Sequence, residues 1–257
     1  INWHDYFKSK DLITSPLIFS SFLIPELIDF ENFLTNLIRQ SAIPVTAHFA
    51  EQFIKKNLLP IIANKITLTL SLEYNAAQEM DYLAGATAQE QFQYFLLVLQ
   101  KEKNDLFKKY AVLENTLHLL FKHFKIFTQT ILERIRHDYQ AITTQWLTEG
   151  NFHLANISFS GDPHENNNQV ATLTWQADNN RTTKIFYKPR SCDNDAIWMQ
   201  VLAFVTKKST LSFKSFKMIR RKEYAWVEYV TQLPCPKNKL ADLNDQVKGK
   251  GLWSQLT

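Results

Sequence analysis

The stretch Val170-Ala171-Thr172-Leu173-Thr174-Trp175, followed by Asp178-Asn179-Asn180 and then Ile185-Phe186-Tyr187-Lys188, decides how the second half of this chain is read. Val170, Thr172 and Thr174 alternate with Ala171, Leu173 and Trp175. That period of two, filled with β-branched and aromatic residues, marks a half-buried strand. Ile185 to Tyr187 is a second β-rich run, and the Asp-Asn-Asn between them is turn material, so the two runs predict an antiparallel hairpin. Working outward, Ile157 to Ser160 reads as a preceding strand. Residues 195–206 return to helical spacing through Ala196, Met199, Val201, Leu202 and Val205. Two further strands are expected over 213–220 and 224–230. The order is strand, strand, strand, helix, strand, strand.

Upstream of about Leu147 the pattern is helical throughout. Pro25 suits the first turn of a segment whose apolar residues, Leu27, Ile28, Phe30, Phe33, Leu34, Leu37 and Ile38, recur by threes and fours. Pro44 is expected to open another helix, striped by Phe49, Phe53, Ile54, Leu58, Ile61 and Ile62, with Pro60 kinking or dividing it. Thr87 followed by Glu90 is a capping box ahead of Phe92, Phe95, Leu96 and Leu99. A long helix then carries Leu117, Leu120, Phe124, Phe127, Ile131, Ile135, Tyr139 and Ile142, and Gly150 ends it.

Composition removes several functions. The chain has 257 residues, 45% hydrophobic and 21% charged, enough for a sizeable core without staples. Its five glycines stand at 85, 150, 161, 249 and 251, so neither a dinucleotide-binding glycine fingerprint nor a Walker loop can be written. A net charge of +4 is too small for a nucleic-acid binder. The basic cluster Arg220-Arg221-Lys222, bounded by Glu223, reads as a solvated strand face. Cys192 and Cys235 form no C-x-x-C pair, so no disulfide framework or thiolate zinc site is expected, nor any other metal site, and a reducing cytoplasm is the natural setting. Pro16 to Leu23 is interrupted by Ser20 and Ser21 and followed by Pro25, so it is a core segment and no membrane span is expected.

Two short segments hold the chemistry. The strand order is that of the small lobe of a protein kinase, and Lys188, ending the third strand ahead of a helix, stands where kinases place the lysine that holds ATP phosphates. Position alone also fits an edge-strand lysine beside a proline. In Gly161-Asp162-Pro163-His164-Glu165-Asn166, the carboxylate of Asp162 and the imidazole of His164 lie two apart. They can serve one site, or simply form a turn with an Asx hydrogen bond.

Taken together, G-D-x-H at 161–164 and Tyr187-Lys188-Pro189-Arg190-Ser191 resemble the dehydratase domain of class II lanthipeptide synthetases (LanM enzymes). Weaker likenesses surround them. Gly85-Ala86-Thr87 resembles the family's helix entry, and Tyr110-Ala111-Val112-Leu113 its Y-P-V-L, with Ala111 in place of proline suiting a continuous helix. Arg134-Ile135 with Asp138 resembles its R-L-x-x-D, and Trp226-Val227-Glu228-Tyr229 its W-V-E-F. The likeness runs from about residue 80 to 236. Asn167 stands where the family has a glycine, and asparagine best tolerates the left-handed backbone such a turn needs. The G-D-x-H-x-x-N spacing, with Asn167 last, also resembles the catalytic loop of small-molecule kinases. There, however, the phosphate lysine precedes the loop, whereas Lys188 follows it.

The fold class expected is therefore α+β: a helical bundle over 1–150, then a kinase-N-lobe-like antiparallel sheet with one packed helix over 151–257. The resemblance implies ATP-dependent phosphorylation of serine and threonine in a precursor peptide, followed by elimination of phosphate. Asp162 and His164 would serve the elimination, and Lys188 the nucleotide phosphates. Arg190 would either touch phosphate or pack the lobe. Mg²⁺ would be held by a larger downstream lobe that this chain does not contain, with a cyclase domain a further candidate partner. The chain would then be the N-terminal part of such an enzyme, inactive alone. The alternative is a non-catalytic module that binds a peptide or a partner protein.

Overall fold

The computed structural model describes residues 2–8, 15–160, 169–209, 213 and 215–231. The helical part comprises α1 (Trp3–Phe7), a 3₁₀ helix (Pro16–Leu23), α2 (Ile24–Ser41), α3 (Phe49–Phe53), a π-helical turn (Ile54–Leu58), α4 (Leu59–Glu79), α5 (Ala88–Lys101), α6 (Lys103–Lys109) and α7 (Ala111–Trp146). The sheet part comprises β1 (Phe152–Ser160), β2 (Val170–Ala177), β3 (Thr182–Lys188), α8 (Asp193–Lys208), β4 (Met218–Arg220) and β5 (Ala225–Glu228). The fold is α+β, with a five-stranded antiparallel sheet in the order β1-β2-β3-β5-β4.

Local chemistry accounts for most boundaries. Thr87 caps α5 with a full capping box, its hydroxyl accepting from Glu90 N while the Glu90 carboxylate accepts from Thr87 N. Pro25 lies in the first turn of α2, and Ala42 ends that helix in the left-handed region at φ 54°. Pro60 lies in the first turn of α4, directly after the π turn, so the helix changes hydrogen-bond register where the proline lacks its donor. Asn180 takes φ 64° in the β2–β3 turn, as the Asp-Asn-Asn sequence implies.

Several expectations change. Pro44 opens no helix. Residues 44–46 instead run beside β1, where Leu154 N donates to Pro44 O at 2.8 Å and Thr46 N to Leu154 O at 3.1 Å. Ala111 is the first residue of α7, after a break from α6, so the helix is not continuous there; proline would be tolerated at that position. The last two strands are shorter than their apolar runs. The first strand is longer, because a bulge between Leu154 and Asn156 shifts its alternation.

One core joins the helices to a single face of the sheet. Phe30, Phe53 and Phe124 from three helical segments share it with Leu154, Ile157, Leu173, Trp175, Ile185, Tyr187 and Trp226. Asn57, buried in the π turn, sews this contact together. Its amide donates to Phe53 O at 3.0 Å and Ile157 O at 2.8 Å, and its carbonyl oxygen accepts from Phe159 N at 3.4 Å. Among the described residues, the opposite face of the sheet carries a small cluster: Cys192, Ala225 and Val227, flanked by Phe186, Phe216 and Met218.

Candidate functional site

Strand alternation sorts the residues of β3. Tyr187 and Ile185 point into the helical core, so Lys188 and Phe186 belong to the other face. Tyr187 pairs with Trp226 and Lys188 with Ala225, the last pairs of that ladder, and Pro189 then removes the next backbone donor. On its face, Lys188 Nζ lies 3.3 Å from Asp195 Oδ2, in the first turn of α8. Arg190 reaches the same oxygen at 3.7 Å and donates to Ser191 O at 3.2 Å. Ser191 Oγ accepts from Asp193 N at 3.2 Å, helping to start α8, and Arg220 Nη1 lies 3.1 Å from Asp193 Oδ1. Apart from Tyr187, which faces the core, the members of the Tyr-Lys-Pro-Arg-Ser segment turn the chain from strand into helix or place a charge at that corner.

The electrostatics of the corner centre on Asp195. Burial works against its ionisation, but the Cys192 thiol and the Lys188 and Arg190 cations outweigh it and hold the carboxyl below its ordinary range. Cys192, fully buried beside this carboxylate, is pushed the other way, to about 11, first by burial and then by Asp195. The Lys188 and Asp195 side chains are 24% and 27% exposed, so the pair is accessible to a ligand.

Asp162 and His164 lie outside the described residues. The described strands on either side of them are β1 and β2. Ser160 pairs with Val170, and the neighbouring Ala171 pairs with Tyr187, so both anchors stand at the end of the sheet that carries Lys188.

A second polar centre lies on the core side. Asp138 of α7, its side chain fully buried, accepts from Trp226 Nε1 at 2.8 Å, Tyr224 Oη at 2.9 Å, and Arg221 Nε and Nη2 at 2.9 and 2.6 Å. One helical turn earlier, Arg134 donates to Tyr187 Oη and lies 4.4 Å over the Tyr224 ring. The likenesses at 134–138, 187 and 226 therefore meet in one clamp. The basic cluster is corrected accordingly: Arg221 is committed to buried Asp138 and Arg220 to Asp193, so only part of it is solvated. Asp195, the partner of Lys188, is not among the residues that the sequence motifs single out. Its place in the first turn after Tyr-Lys-Pro-Arg-Ser was the available signal.

A family model described as a domain of unknown function, DUF4135, matches residues 110–243. The chain belongs to this family. It is also 26% identical over 222 residues to the lacticin 481/lactococcin biosynthesis protein LcnDR2 of Lactococcus lactis subsp. lactis, across 80% of this chain and 22% of that protein. The resemblance read from the two segments is borne out, and the chain is a LanM-like relative that spans under a quarter of the length of the curated protein it matches. Among the described residues, no helix is long and apolar enough to cross a membrane.

Proposed function

We propose that this chain is the N-terminal portion of a lanthipeptide-type peptide dehydratase, and that its sheet face bearing Lys188 holds the phosphates of ATP. The observation that carries the reading is the pair formed by Lys188, at the end of β3, and Asp195, in the first turn of the following helix. The chain order of three strands, a helix and two strands adds support, as it is that of a kinase small lobe. The related protein's biosynthesis name points to a precursor peptide as substrate.

The donor set suits a nucleotide. Lys188 has ammonium protons beyond the one directed at Asp195, and Arg190 is mostly exposed beside it. Bound ATP supplies the transferable phosphoryl group. Lys188 neutralises charge on the nucleotide, with the Asp195 carboxylate beside its ammonium. The family resemblance assigns Mg²⁺ to a larger, downstream lobe.

In the second step a base removes the α-proton of the phosphorylated residue. The Cβ–O bond breaks, phosphate departs with the bonding electrons, and a Cα–Cβ double bond forms. Asp162 and His164 are the residues proposed for this step, with a neutral-range imidazole suited to moving the proton. Cytoplasmic placement accords with a chemistry that consumes ATP.

The test uses the full polypeptide that carries this chain, with ATP, Mg²⁺ and a precursor peptide, read by mass spectrometry. Lys188→Ala leaves unmodified peptide, whereas Asp162→Asn or His164→Ala leaves phosphorylated peptide stalled before elimination. Peptide binding without any phosphorylation, indifferent to Lys188→Ala, would favour the non-catalytic binding module instead. Loss of phosphorylation in Asp162→Asn as complete as in Lys188→Ala would favour the small-molecule-kinase assignment of that aspartate.

A further inference from the structure

We infer that Arg134 is a positioning residue for Lys188, acting through Tyr187 across the thickness of the sheet; this rests on the phosphate-holding reading of Lys188. Tyr187 is fully buried, its hydroxyl accepts from Arg134, and its ring packs 5.0 Å from Trp226. Four residues along the same helix, Asp138 fixes Trp226, the register partner of Tyr187. Helix α7 therefore grips both strands at the pair immediately before Lys188–Ala225.

Adjacent strand residues project to opposite faces through one planar peptide unit. A rotation of the β3 end that frees Tyr187 therefore swings Lys188 on the far side. The far side offers little resistance. Pro189 ends the ladder, and the Lys188–Asp195 pair is partly exposed, a class of contact that holds side chains weakly. The direction of the lysine is thus set from the core side. Arg134 is suited to the task because its guanidinium is planar. It bonds Tyr187, stacks on Tyr224 and lies 3.5 Å from Glu223, so it is itself held on several sides.

Two measurements separate this from a merely structural role. In the chain itself, trace acetylation of lysines is mapped by mass spectrometry. Tyr187→Phe, which removes only the hydroxyl, and Arg134→Gln speed labelling of Lys188 several-fold relative to the other lysines. Leu99→Ala, a cavity in the helical part, does not. In the full polypeptide, Tyr187→Phe lowers the phosphorylation kcat on the order of 10- to 100-fold, the cost of a small misplacement of a reacting group. The peptide KM is unchanged, and almost nothing is added in a Lys188→Ala background. Unchanged Lys188 labelling, or a kcat loss that adds to that of Lys188→Ala, overturns the inference. If Lys188→Ala alone spares phosphorylation, the phosphate-holding reading fails, and labelling still decides whether Arg134 sets the place of this lysine.

Discussion

Asp138 and Trp226 stand 88 residues apart in the chain and 2.8 Å apart in space, carboxylate to indole N–H. Tyr224 and Arg221 bond the same carboxylate, so one side chain of the longest helix collects four donated bonds from three residues of the β4–β5 hairpin. Replacing Asp138 with Ala strands those donors, including a guanidinium. A loss of about 3–5 kcal/mol in unfolding free energy is expected, measured by urea titration.

The same residue predicts a pH dependence. Burial raises the Asp138 carboxyl, but bonds from Trp226, Tyr224, Arg221 and His137 outweigh it and hold the pKa below the ordinary value of 3.8. A depressed folded-state pKa stabilises above the unfolded value and loses that contribution as pH falls through the folded one. The stability gap between wild type and Asp138→Asn should therefore be constant near neutrality. It should narrow below about pH 4, the ordinary aspartate range. A gap that widens in acid would count against this account of the clamp.

Asn57 predicts a different failure. Asn57→Leu keeps the volume roughly but leaves Ile157 O and Phe159 N without their partner inside the protein. The expected cost is about 2–3 kcal/mol, from unsatisfied buried backbone groups. Hydrogen exchange should rise first at Phe159.

The turn into α5 separates two kinds of strain. Thr87→Ala removes a cap and should cost about 1 kcal/mol. Gly85→Ala should cost more. Gly85 sits at φ +138°, and an added Cβ would lie 2.7 Å from Glu90 Cβ and 2.8 Å from Gln91 N. Thermal melts of the two variants decide the order.

Cys192 should be inert in the folded chain. Its pKa of about 11 and complete burial leave almost no reactive thiolate at pH 8. Iodoacetamide labelling, mapped to the Cys192 peptide, should proceed only at the rate of unfolding. Fast labelling would mean that the corner around Asp195 opens.

Much of this architecture was legible because local signals agreed with the fold. The alternation of Val170 to Trp175, the Asp-Asn-Asn turn and the Thr87 capping box each name a structure that short-range chemistry enforces. What was missed depended on distant partners. The bulge at Ala155 breaks the alternation of β1, so only its second half read as strand. Pro44 looked like a helix start, but its carbonyl is claimed by Leu154, more than a hundred residues later. Arg221 looked solvated, because nothing nearby in sequence announces a buried carboxylate at 138. The place of Lys188 at the end of a strand is legible from strand order, whereas its pairing with Asp195 needs the geometry of the corner.

The shared core also has a consequence for how the chain is made. Phe53 and Phe124 are covered by Phe159, and Asp138 finds its donors only when the hairpin ending at Glu228 exists. On the ribosome, the helices through Trp146 emerge first, with that apolar face still open to water. Nascent helices must therefore wait for some eighty residues of later synthesis, a span of several seconds at about 5–20 residues per second. Ribosome-stalled chains ending before β5 should recruit chaperones, and release should coincide with emergence of Trp226.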